Sequence, residues 1–131
     1  MAIDPSQLPP EAREKVEKLS QVQEQVQSLA RRKQELEKES QEKDKALDEL
    51  ENAEKDRTIY KSVGAVMVRR ENSEEVREEL KDRLENLDLR IKQVERKEEK
   101  MKKQLEDLRA KVQDAIQGGA TTGTGGGFGV S

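Results

Sequence analysis

The chain contains neither Cys nor His. Their absence removes disulfides, thiol nucleophiles, zinc-type sites and imidazole acid–base chemistry together, so no metal and no cofactor is expected. Trp is also missing, and there is one Tyr and one Phe among 131 residues. With 31% hydrophobic residues and 2% aromatics, a thick globular core cannot be built. No apolar run approaches the roughly 20 residues that cross a bilayer, and the N-terminus lacks the apolar stretch of a secretory leader. A cytoplasmic setting is therefore the simplest expectation. Long blocks of one charge are absent too. The 26 basic and 29 acidic residues are interspersed, net −3, so neither nucleic acid nor an anionic membrane is an expected partner.

What the chain does have is charge, at 42% of residues, and sustained heptads. Disorder and a thin coiled coil both fit such a composition; the heptads select the coiled coil. A first helix is expected over 10–56, after a lead-in over 1–9, with Pro10 tolerated at the first helical position. Its a positions are Ala12, Leu19, Val26, Lys33, Ser40 and Leu47. Its d positions are Lys15, Val22, Leu29, Leu36, Lys43 and Leu50. A second helix is expected over 73–117. Asn72 with Glu75 forms its capping signal, and Gly118-Gly119 its stop. There the a positions are Leu84, Ile91, Glu98, Leu105 and Val112, and the d positions Leu80, Leu87, Val94, Met101, Leu108 and Ala115. Lys33 and Glu98 at a positions read as long side chains snorkelling out of a narrow seam, with a polar layer that fixes register as the alternative. Glu11/Lys15, Glu39/Lys43 and Glu98/Lys102 have the favourable i,i+4 order. Each helix has roughly 45 residues, giving a rod about 70 Å long. Residues 118–131, GGATTGTGGGFGVS, read as a disordered low-complexity tail.

Between the helices, Ile59-Tyr60-Lys61-Ser62-Val63-Gly64-Ala65-Val66-Met67-Val68 is β-branched with a glycine at its middle. It predicts a hairpin over 58–69. Gly64 supplies the positive φ of a type II′ turn, which pairs Val63 with Val66 and Ser62 with Met67. The fold class is thus mainly α: two long helices in an antiparallel coiled coil, joined by a short β-hairpin. Two strands alone are too few to be stable and leave both edges open. Ile59, Tyr60, Val63, Gly64, Val66, Met67 and Val68 are accordingly expected to form an oligomerisation sheet.

The block Asp56-Arg57-Thr58-Ile59-Tyr60-Lys61-Ser62-Val63-Gly64, with the strand Ala65 to Arg69, resembles the beta-type subunit of prefoldin, also called GimC. The likeness continues through Glu78-Glu79-Leu80-Lys81, Leu84-Glu85-Asn86-Leu87 and Val94-Glu95-Arg96-Lys97-Glu98-Glu99. It covers about residues 8 to 117, and the single hairpin matches the beta type rather than the two-hairpin alpha type. The resemblance implies a hexamer of two alpha-type and four beta-type subunits, with the hairpins combined into intersubunit β-barrels. It implies, further, that coiled-coil tips hold unfolded client proteins and deliver them to a group II chaperonin without ATP.

At the chain ends, Leu8, Val16, Leu19, Leu108, Val112 and Ile116 are the expected client-binding residues. Val16 and Ile116, at e positions, widen the apolar stripe where the coil opens. Leu19 and Val112 read mostly as seam. Glutamate pairs such as Glu39/Glu42 and Glu74/Glu78 lie on helix faces without a pocket, so they read as solvated charge and no enzyme is expected. The alternative function is a structural filament or scaffold assembled through the same hairpin, without client binding.

Overall fold

The structure, a computed structural model, describes residues 8–54 and 56–121, and the side chains of 8–54 and 56–117. The element order is α1 (Pro10–Asn52), β1 (Ile59–Val63), β2 (Val66–Arg70) and α2 (Ser73–Thr121). The start of α1 follows from its prolines. Pro10 has no N–H to lose, and the Pro9 carbonyl accepts the Arg13 N–H at 2.9 Å.

α1 stops at Asn52, short of the expected 56. Its last turn holds Glu49 and Glu51 and no basic residue, which opposes the negative end of the helix dipole. The chain then tightens into turns, with Ala53 N–H donating to Leu50 O and Arg57 N–H to Glu54 O. α2 begins at the expected residue. The Asn72 side-chain oxygen accepts the Glu74 N–H at 2.9 Å, and Glu74 and Glu75 sit at the positive end of the dipole. At its other end α2 runs past Gly118-Gly119 to Thr121 instead of stopping at 117. A helical glycine costs only about 1 kcal/mol, and among the described residues no glycine but Gly64 takes the positive φ of a C-terminal cap. Residues 122–131, the rest of the expected disordered tail, and residues 1–7 of the expected lead-in lie outside the described residues.

β1 and β2 pair antiparallel in the expected register: Tyr60 faces Arg69, Lys61 faces Val68, Ser62 faces Met67 and Val63 faces Val66. Ile59–Arg70 adds one further pair. Gly64 has φ +58°, and no other described residue has positive φ. That combination marks a type II′ turn, since type I′ would put Ala65 at positive φ as well.

The described backbone forms two compact units: one within residues 32–95, which carries the hairpin, and the chain-end unit, residues 8–31 with 96–121. In the hairpin unit Leu36, Val76 and Leu87 are buried, and Leu87 is fully enclosed. In the chain-end unit Val22, Leu105 and Leu108 form a buried cluster, with Leu19 and Val26 packed on it; Ala12 and Val112 are buried too. Every a and d side chain named from the heptads is at least half-buried. Val76 is buried without belonging to that pattern. No described helix is long and apolar enough to cross a membrane.

Candidate functional site

Each unit presents one surface. On the hairpin, strand alternation sets two faces. Ile59, Lys61, Val63, Val66, Val68 and Arg70 share one, and Tyr60, Ser62, Met67 and Arg69 share the other. Only Ile59 and Arg70 are partly covered. Tyr60, Val63, Val66 and Met67 keep at least half of their surface open, up to 70% at Met67, and Val68 keeps 44%. Large apolar side chains are rarely left this open together unless a partner covers them. The sheet has two strands, so within the described chain the outer edge of each strand is unpaired.

Charge ties this hairpin to the helices. Glu79, on the second turn of α2, accepts the Lys61 ammonium on Oε2 at 2.9 Å. Its other oxygen accepts the Arg70 guanidinium at 3.0 Å. One helix carboxylate therefore holds a residue of each strand. Glu75 adds a second, longer contact to Arg70 at 3.6 Å. One turn further along α2, Arg83 donates from Nε and Nη2 to the two oxygens of Glu39 on α1, at 2.7 and 2.8 Å. Such fork-to-fork geometry is the strongest form of exposed ion pair. Glu39 thus turns across to α2, where i,i+4 spacing alone pointed to Lys43.

These bonds act on protonation. Hydrogen bonds from Lys61 and then Arg70 hold the Glu79 carboxyl below the usual range. The hydrogen bond from Arg83 does the same for Glu39, and Glu39 in turn raises Arg83. Between these groups and β1 lies an open groove of about 650 Å³. Ala46, Leu50, Ile59, Val76 and Leu80 supply its apolar lining, and its charged lining includes Lys61, Glu79 and Arg83 together with Glu39, Glu42, Lys43 and Glu49 of α1. Further along, Lys33 reaches Glu95 at 3.4 Å and Glu37 at 3.9 Å.

In the chain-end unit, the six expected client-binding residues separate by burial. Leu108 and Val112 are buried, and Leu19 packs on the Val22 cluster. Leu8, Val16 and Ile116 are half-buried. Ile116 stands out within α2, because the other e positions, from Lys81 through Arg109, are exposed. The i,i+4 pairs Glu11–Lys15 and Glu98–Lys102 form at 3.6 and 3.9 Å. Among the described residues no group of acidic side chains is arranged to hold a metal ion.

Sequence reasoning missed Glu79 with Lys61 and Arg70, and it missed Val76. The ion pairs join residues 18 and 9 positions apart, a separation without helical or strand periodicity. Val76 did leave a signal, an i,i+4 apolar step to Leu80 at the start of α2.

Comparison with known proteins agrees with this architecture. The family model for "Prefoldin subunit" matches residues 13–119. The prefoldin subunit beta of Methanosarcina acetivorans is 37% identical over 111 residues, 85% of this chain and 94% of its own. That of Pyrobaculum islandicum is 37% identical over 125 residues, 93% of this chain and 99% of its own. The crystal structure of the prefoldin beta subunit from Thermococcus strain KS-1 superposes with a TM-score of 0.72 at 34% identity, over 82% of this chain and 94% of that one.

Proposed function

The chain belongs to the prefoldin subunit family, of the beta type, and from that premise we propose that it is one subunit of an ATP-independent chaperone that captures non-native polypeptides. The exposed hairpin carries the reading. Tyr60, Val63, Val66, Met67 and Val68 form an open apolar surface on a sheet with free edges. A surface of that kind is covered by assembly, here with alpha-type subunits and further beta-type copies in a hexamer of two and four. The hairpins then merge into intersubunit β-barrels, adding strands at their edges.

Clients are held at the chain-end unit. Leu8, Val16 and Ile116 offer half-open apolar contact, and Leu19, Leu108 and Val112 are the remaining members of the group. Each contact is weak, and several subunits acting on one client give avidity. Release follows when a group II chaperonin takes the client. The setting is cytoplasmic.

The test is co-expression with an alpha-type prefoldin subunit, followed by native mass measurement and an assay of client aggregation. A closed hexamer that suppresses aggregation supports the reading. An open-ended mass distribution without suppression supports the filament or scaffold alternative instead.

A further inference from the structure

The hairpin exposes apolar side chains on both faces, Val63, Val66 and Val68 on one and Tyr60 and Met67 on the other, and a partner can meet them in register only if the hairpin is held in one orientation. A two-stranded sheet has little internal stiffness, and of its six large apolar side chains only Ile59 is partly covered, while Tyr60, Val63, Val66, Met67 and Val68 face solvent. Ile59 alone gives it an apolar foothold beside the helices, too little to set its orientation. The groups that do bridge out of it are Lys61 on β1 and Arg70 on β2. Both end on the same carboxylate, Glu79 of α2, at 2.9 and 3.0 Å. Two anchors on different strands resist tilting and twisting, where one anchor would leave a pivot. Glu79 is itself one helical turn from Arg83, whose two-bonded contact with Glu39 locks α2 to α1. The chain of contacts thus runs from α1 through α2 to both strands.

We propose that Glu79 is the positioning residue for assembly: by binding Lys61 and Arg70 together, it fixes the tilt of the hairpin against α2 and so aims the apolar surface at the next subunit. The proposal rests on assembly through the hairpin. It adds that assembly depends on a polar residue outside the contacting surface. Glu79 bonds to Lys61 and Arg70, Glu75 shares Arg70 at 3.6 Å, and the groove beside it is lined by Arg83 of α2 and by Glu39, Glu42, Lys43 and Glu49 of α1. Protonation of Glu79 converts it from a double acceptor to a group that competes poorly for either cation. The lowered protonation range of this carboxyl means that the clamp holds at neutral pH and opens only in acid.

The absence of Cys makes a direct test simple, because two introduced thiols are the only labelling sites. Spin labels at Ala65→Cys, in the turn, and Asp82→Cys, on exposed α2, report the hairpin-to-helix distance in the isolated full chain. A narrow distribution is expected at pH 7. It broadens in Glu79→Gln, broadens equally in Lys61→Gln/Arg70→Gln, and broadens no further when the three changes are combined, because they break one unit. Glu78→Gln, the exposed neighbour, leaves it narrow. The parent distribution also broadens as pH falls through the Glu79 range, whereas that of Glu79→Gln stays broad throughout. In unlabelled chains, Glu79→Gln weakens assembly with an alpha-type subunit by about two- to fivefold at pH 7, the scale of an exposed ion pair, with helicity kept.

An unchanged distribution in Glu79→Gln overturns the clamp. A broadened distribution with unchanged assembly overturns the positioning role. Failure of the parent chain itself to assemble would strike the assembly reading, and the label distances would still judge the clamp.

Discussion

The two units solve opposite problems with the same residue types. The chain-end unit gathers its aliphatic residues inward: Ala12, Val22, Leu105, Leu108 and Val112 are buried. The hairpin unit leaves its densest apolar stretch open and secures it with charge, through Glu79 to both strands and through Glu39–Arg83 between the helices. Apolar burial is cheap to specify but consumes the surface it uses. Ion pairs add little stability at an exposed site, but they set direction and leave the apolar surface free for another chain. The difference teaches that a residue's polarity does not reveal which side of an interface it serves. In this molecule polar groups hold the hairpin and apolar groups are presented.

The largest effect should come from attacking what is presented. Val66→Asp with Val68→Asp puts two charges among the exposed apolar side chains of β2. Assembly should be abolished while helicity stays near that of the parent, as read by analytical ultracentrifugation beside circular dichroism. An intact oligomer would break the contrast, because the open surface would then not be the contact.

Next in size is a change in what is hidden. Leu87 is fully enclosed, and Leu89, two residues on, is 61% exposed. Leu87→Ala should cost about 2–5 kcal/mol in chemical denaturation, the range for an enclosed leucine. Leu89→Ala should stay within about 0.5 kcal/mol. Similar losses at both would mean that the seam does not carry the helices.

A smaller effect is expected from Val16→Ser with Ile116→Ser. Suppression of client aggregation should weaken, with native mass and helicity retained. Each change should remove about 1–2 kcal/mol of burial per contact, multiplied if several subunits bind one client together. The matched control is Gln41→Ser with Arg90→Ser. Equal loss in both variants, or in neither, would remove client capture from the chain-end unit.

Acid sharpens the comparison by acting on one device and not the other. Glu39 and Glu79 are both held below the ordinary carboxylate range by cations. They therefore bind fewer protons folded than unfolded near that range. Their stabilisation is complete above about pH 4.3, the unfolded value, and is lost as pH falls through their lower folded values. Glu39→Gln should flatten part of the acid limb of an unfolding titration, while Leu108→Ala should lower the whole curve without changing its shape. The smallest effect is expected from stopping the chain at Gln117, which removes no heptad position and no strand. Melting temperature and oligomeric mass should be unchanged.

The helices were legible because burial in a narrow seam obeys a seven-residue period, and every residue on it, Lys33 and Glu98 included, is at least partly covered. Hairpin register was legible for a related reason. One glycine in a β-branched run admits few turns, and the pairing of Val63 with Val66 follows. The helix ends were less so. Asn52 and Thr121 depend on balances of dipole, turn and glycine entropy worth about 1 kcal/mol each, and no pattern marks the winner. Glu79 was illegible for a different reason. Its local neighbours offer ordinary i,i+4 partners, and what selects Lys61 and Arg70 is the return of the hairpin over the start of α2, a fact of three-dimensional proximity. The candidate client-binding residues came from position alone, and burial then divided them, with Leu108 and Val112 inside and Leu8, Val16 and Ile116 partly open.

The turn itself has one more consequence. A Cβ built on Gly64 would meet nothing within 4 Å, yet the backbone there sits at φ +58°. Room is plentiful, and what is scarce is the right chirality: an L side chain at positive φ is strained however much space surrounds it. The bend between the strands is therefore a filter on handedness rather than on size.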